Sequence, residues 1–127
     1  MSSKLIVALL SGLALAFGLV GCGGGGQKAK APSAEELAEY QKLYEQSCSS
    51  CHGADAKGIT GLGKNLVESS FVKGLNDDQF LDFIKKGRPA SDPANTTKVD
   101  MPPKGGNPAL TDEQMHHIIA YLRSLQK

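Results

Sequence analysis

Apolar material is scarce in this chain for the loops it has to order. Beyond Gly21, 37 of 106 residues are apolar, lean for a short chain that must build its own core. Three amphipathic stretches hold much of that set, and two connections of about twenty residues, 53–74 and 88–110, lie between them. The connections are rich in Gly, Pro and Asn. No run alternates at period two for long enough to suggest a sheet, and no segment repeats. Loops of that length in a small domain need something else to order them. Short helices, long loops and few apolar residues point to one solution: a large apolar object that is not amino acid fills the middle.

Each amphipathic stretch opens on a cap. Ser33-Ala34-Glu35-Glu36 has the S-x-x-E form of a capping box. Leu37, Tyr40 and Tyr44 follow at helical spacing with Leu43 beside them, predicting a helix to about Ser47. Asn76-Asp77-Asp78-Gln79 caps a second, with Phe80, Phe83 and Ile84 on one face and Gly87 as its stop. Thr111-Asp112-Glu113-Gln114 caps a third, in which Met115, Ile118, Ile119 and Leu122 form a stripe that Leu125 extends. The expected fold class is therefore all-α: three main helices and long loops.

Residues 1–32 read as an address and a tether. Lys4 precedes an apolar run from Leu5 to Val20; sixteen residues rise about 24 Å as a helix, short of a comfortable membrane span. A charged start and a short apolar stretch define an export signal over residues 1–21. It ends in Leu19-Val20-Gly21-Cys22, which resembles the lipoprotein box of bacteria, so Cys22 is the expected lipidation site and membrane anchor. Cleavage after Ala14-Leu15-Ala16, or retention of the segment as an anchor, are the alternatives. Residues 22–32, with four glycines from Gly23 to Gly26, carry no apolar period and read as a flexible tether. The folded domain is expected over residues 33–127.

Cys48-Ser49-Ser50-Cys51-His52 carries the chemistry. C-x-x-C-H is the attachment signature of c-type haem, two thiols adding across the vinyl groups and the adjacent imidazole reaching the iron. An export signal places the chain where such attachment occurs. A dithiol redox pair is the first alternative, but that motif follows a strand in a βαβ setting and none is visible. Zinc held by Cys48, Cys51, His116 and His117 is the second. Adjacent histidines on one helix point about 100° apart, which opposes their convergence on one metal.

With these residues in view, residues 33–127 resemble a class I c-type cytochrome of the bacterial monohaem kind. The likeness rests on Leu43-Tyr44 ahead of Cys48-Ser49-Ser50-Cys51-His52-Gly53, on the segment from Gly61 to Leu66, on Met101-Pro102-Pro103 and on the run from Tyr121 to Leu125. It implies a small cytochrome c-like fold around one covalent haem c, held by Cys48 and Cys51, with His52 as proximal and Met101 as distal iron ligand. It also implies that the first and last helices cross, bringing Tyr44 to the Tyr121/Leu122 region. Gly63-Lys64-Asn65-Leu66 stands where the family commonly has Gly-Pro-Asn-Leu. The Lys64 carbonyl can still accept the proximal histidine N–H, without proline's rigidity.

Among candidates for the sixth ligand, Met115 lies on the apolar stripe and is expected in the core. His116 and His117 flank that stripe at surface or edge positions. Met101 lies in a loop stiffened by two prolines, and a thioether held against iron needs such bracing. A His/Met iron favours the ferrous state and makes a relatively high-potential carrier. An iron with an open sixth site, in a haem enzyme or ligand-binding haem protein, is the alternative.

Six-coordinate iron leaves no position for substrate, so the expected function is single-electron transfer between membrane respiratory partners rather than catalysis. A quinol-oxidising complex or a terminal oxidase is the kind of partner implied, facing the periplasm or the outer side of the cell membrane. The formal charge of +1 excludes nucleic acid as the main partner, and it belongs to Lys4 of the signal. Residues 53–104 hold eight basic side chains and seven acidic ones, a mixed solvated surface. The three cysteines divide as one for the lipid and two for the haem.

Overall fold

A computed structural model describes residues 30–126, and the fold below is that of the unit Ala31–Lys127. The expected export signal and all but the last residues of the tether lie outside the described residues. Five α-helices and one 3₁₀ turn make up the unit: α1 (Ala34–Ser47), α2 (Ser49–His52), α3 (Ser70–Gly74), α4 (Asp77–Lys86), the turn Pro103–Gly106 and α5 (Asp112–Leu125). The described residues contain no strand, only isolated bridges Ile59–Gly63 and Arg88–Met101.

All three expected caps form as complete capping boxes. Glu36 N–H donates to Ser33 Oγ at 3.3 Å while Ser33 N–H donates to Glu36 Oε2 at 2.7 Å. Asn76 with Gln79 and Thr111 with Gln114 repeat the exchange at α4 and α5. Each box satisfies donors that a helix start otherwise leaves without partners. Gly87, at φ +67, ends α4 as expected.

The two long connections are less bare than the sequence suggests. The first contains α3, capped by Ser69, and the second contains the 3₁₀ turn, which passes through positive φ at Lys104 and Gly105. A five-residue helix is too short to show a period in its sequence.

α1 packs across α5. Tyr44, Met115, Ile118, Ile119 and Leu122 are fully buried, and the Tyr44 and Tyr121 rings meet at 5.5 Å, as the cytochrome resemblance implies. Tyr40 stacks on His117 at 4.2 Å on the same face. Arg123 ties the C-terminal part of α5 to the rest. Its guanidinium donates to Val72 O at 3.0 Å and to Leu75 O, and pairs with Asp77 at 3.0 Å. One side chain thus satisfies carbonyls at the end of α3 and an acid at the start of α4.

Tyr44 donates its phenol proton to Gly53 O at 2.6 Å, joining α1 to the residue that closes α2. Burial, with the Cys48 thiol nearby, pushes the Tyr44 phenol well above the ordinary tyrosine range. The folded state therefore keeps this phenol neutral where the unfolded chain ionises it. Its contribution is whole below the ordinary value of about 10 and is lost as pH rises beyond it. Thermal melts of the holoprotein from pH 9 to 12 should show stability falling, and the fall should be shallower in Tyr44→Phe.

Candidate haem site

The site begins where α1 stops. Cys48, at φ −126 and ψ −31, breaks the helix, and a single further turn, α2, sets Cys51 and His52 off from it. His52 N–H donates back to Cys48 O at 3.0 Å, and Gly53, at φ +77, ends the turn. The loop that follows is folded against this turn by backbone bonds, Gly58 N–H to His52 O at 2.7 Å and Leu66 N–H to Ala56 O at 2.8 Å. Gly63 lies so close to Cys51 that a Cβ there would sit 2.1 Å from its carbonyl oxygen.

A cavity of about 290 Å³ opens beside α2. Cys48, Cys51, His52 and Met101 all line it, so the structure brings together the four residues that the sequence reading selects inside the folded domain. Cys22 lies outside the described residues. The remaining wall is largely apolar, with Leu66, Val72, Phe80, Phe83 and Ile84 among its residues, and α5 contributes Ile118 and Leu122. Val72, Phe80, Ile84, Ile118 and Leu122 also belong to the buried core, so core and cavity share a wall.

His52 is oriented through its backbone-facing nitrogen. Nδ1 lies 2.8 Å from Lys64 O; because a carbonyl only accepts, Nδ1 carries the proton and Nε2 keeps its lone pair. Lysine in place of proline has not cost the loop this bond. Burial is the larger influence on the His52 ring and lowers its pKa, against the raising effect of that bond, so the imidazole is neutral and suited to bind a metal. Burial, helped by Cys51, pushes the Cys48 thiol up to about 11. Cys48 and Cys51 are not joined in a disulfide.

Met101 is held from the main chain. Arg88 N–H donates to Met101 O and Met101 N–H to Arg88 O, each at 2.8 Å. Gly87 runs so close beneath this pair that a Cβ there would lie 2.2 Å from Met101 O. Pro102 and Pro103 continue into the 3₁₀ turn, and Gly105 approaches Ser47 O and the Cys48 sulfur.

The other candidates lie elsewhere. Met115 is fully buried in the core; His116 is exposed, and His117 is stacked on Tyr40. Neither histidine lines the cavity, and the described residues contain no cluster of His, Cys, Asp and Glu able to hold a metal ion. The basic residues of 53–104 are dispersed in role: Lys85 pairs with Asp112 at 2.8 Å, Lys104 donates to Leu110 O, and Lys64 and Arg88 reach the cavity. Sequence reasoning missed what Arg88, Gly87 and Gly63 do at the site. Gly87 was visible as a helix stop and Gly63 as part of the segment from Gly61 to Leu66, but the chain each glycine touches is distant in sequence.

Two thiols, an imidazole with a free Nε2, a thioether and an apolar wall fit a covalent haem, and fold and site together define a class I c-type cytochrome. Comparison with known proteins gives the family: the model for cytochrome c oxidase, cbb3-type, subunit III matches residues 35–122, and the chain belongs to it. It is 36% identical over 94 residues to cytochrome c-551 of Bacillus subtilis, covering 69% of this chain and 79% of that one. Cytochrome c-555 of Prosthecochloris aestuarii is 32% identical over 87 residues, covering 68% and 85%. Subunit CcoP of the cbb3-type cytochrome c oxidase of Rhodobacter capsulatus is 30% identical over 86 residues, 67% of this chain and 28% of that subunit. The chain therefore spans well under a third of the oxidase subunits it matches. No solved structure matches it. A domain of this family carries haem c bound covalently, and its chemistry is electron transfer.

Proposed function

We propose that this protein is a membrane-tethered monohaem electron carrier with His/Met-ligated iron. One observation carries the reading: Met101, clamped by paired bonds to Arg88, lines the same apolar cavity as His52, whose Nε2 is left to a metal by the Nδ1 bond to Lys64 O. Cys48 and Cys51 attach the haem as thioethers, His52 is the proximal ligand and Met101 the distal one. Bound there, the iron supplies a one-electron ferric/ferrous couple. The chain's own part is to hold that couple rigid, exclude water with the aromatic and aliphatic wall, and raise the potential through a thioether.

Residues 1–21 act as a lipoprotein-type signal, Cys22 carries the lipid, and residues 22–32 are the tether, so the domain works at the outer face of a membrane. Among the described residues no helix is long and apolar enough to cross a membrane. The matches to oxidase subunits favour a terminal oxidase as the electron acceptor. A quinol-oxidising complex is the corresponding donor.

The absorption spectrum of the purified native protein, before and after dithionite, tests the ligation. A low-spin ferric spectrum with a thioether–iron charge-transfer band is expected, and Met101→Ala should lose the band and lower the potential. A high-spin ferric spectrum in the parent protein would establish an open sixth site instead. Labelling with a radioactive fatty acid, lost in Cys22→Ser, tests the anchor.

A further inference from the structure

Arg88 sits in an unusual place for a cation. Its side chain is one-fifth exposed, at 20%, and its guanidinium packs over an edge-on pair of rings, 4.7 Å from the Phe71 centroid and 4.8 Å from that of Phe83. Nε is buried and makes no hydrogen bond. Asp92 Oδ2 stands 3.2 Å from it, an ion-pair separation, but outside hydrogen-bond geometry. Buried donors of a charged fork are seldom left without an acceptor. The main chain of Arg88 is meanwhile fixed by its two bonds to Met101, so the side chain springs from a rigid point.

Arg88 also lines the cavity that holds Cys48 and Cys51. A haem brings two propionate carboxylates on the edge away from its vinyl carbons, and enclosing a carboxylate without a cation is costly. Two cavity-lining residues among the described ones are cationic at neutral pH, Lys64 and Arg88. Lys64 is exposed, and its carbonyl serves His52. The polar residues nearby are already committed. Asn95 is buried, with its amide donating to Pro89 O and Val99 O and its oxygen accepting from Thr97 and Lys98. Asp100 accepts from Ala90 N–H and carries the wrong charge.

We infer that Arg88 binds a propionate of the haem, its guanidinium fork meeting the carboxylate at the cavity wall while Phe71 and Phe83 hold it in place. The inference rests on the attachment at Cys48 and Cys51 proposed above. Arg88 is thus a binding residue for the cofactor, with Asp92 an ion-pair neighbour of its Nε.

The full-length holoprotein and its Arg88→Gln, Arg88→Lys and Asp92→Asn variants test this by resonance Raman spectroscopy and redox titration. In Arg88→Gln the propionate bending band should shift and the reduction potential should fall, as an anion near the iron loses its partner. The thioether–iron band should stay in place. Arg88→Lys should restore part of both shifts, and Asp92→Asn should leave the propionate band where it is. An unmoved band and potential in Arg88→Gln would overturn the inference. So would loss of the thioether–iron band in both arginine variants, which would make Arg88 a support for Met101 alone. A propionate shift in Asp92→Asn matching that of Arg88→Gln would overturn it equally. The pyridine haemochrome of the parent reports thioether attachment independently, so failure of the attachment reading is seen there and not in the Arg88 comparison.

Discussion

On the His/Met ligation proposed above, Gly87→Ala is expected to strip the iron of its methionine ligand without touching that methionine. Gly87 has φ +67 and ψ −165, a region essentially reserved for glycine that costs other residues about 1–3 kcal/mol. The larger obstacle is space. A Cβ would lie 2.2 Å from Met101 O, 2.8 Å from Pro102 C and 2.9 Å from Pro103 N, all main-chain atoms of a segment that proline prevents from bending freely. Relief has to come from moving the Met101 segment away, which breaks its two bonds to Arg88. Backbone strain and overpacking together make a loss of about 3–5 kcal/mol. The observable results are loss of the thioether–iron band, a lower potential and a lower melting temperature in one variant. A spectrum and potential equal to the parent's would show that Met101 is placed by something other than this contact.

Gly63→Ala is expected to act on the opposite side of the cavity. There a Cβ would stand 2.1 Å from Cys51 O and 2.5 Å from Cys51 C. Neither atom can retreat, because Cys51 belongs to the single turn that also carries His52. The loop must lift instead, and Lys64, next in the chain, takes its carbonyl away from His52 Nδ1. Overpacking of this kind costs about 1–3 kcal/mol, and loss of the bond that orients His52, the proximal ligand proposed above, adds to it. Haem content per mole of purified chain should fall several-fold, and the fraction that holds haem should have an altered potential. Full haem content with an unchanged potential would show that the loop has another way to relax.

The readable parts of this fold are those that depend on neighbours in sequence. Each capping box needs two residues three apart, and all three formed where Ser33, Asn76 and Thr111 stand. The stripe from Met115 to Leu122 is a local period, and its members are buried. Cys48 to His52 is local as well, so its chemistry was visible before any packing was known. Gly87 and Gly63 are different: a glycine shows its purpose through the chain it touches, and their partners are a dozen or more residues away. Arg123 reaches Val72 and Asp77 across the domain, and nothing near Arg123 in sequence announces either. α3 is too short to display a period at all.

By itself, then, the sequence determined the helical class of the domain, its caps and apolar stripes, and the Cys-x-x-Cys-His chemistry, because each is written within a few residues. The tertiary structure alone decided that Met101 faces the same cavity as His52, that Lys64 O orients the imidazole, and that the Arg88 guanidinium packs over the Phe71 and Phe83 rings at the cavity wall. The physical reason is chain closure: these contacts join segments separated by loops whose paths depend on close main-chain approaches that only the folded domain brings about.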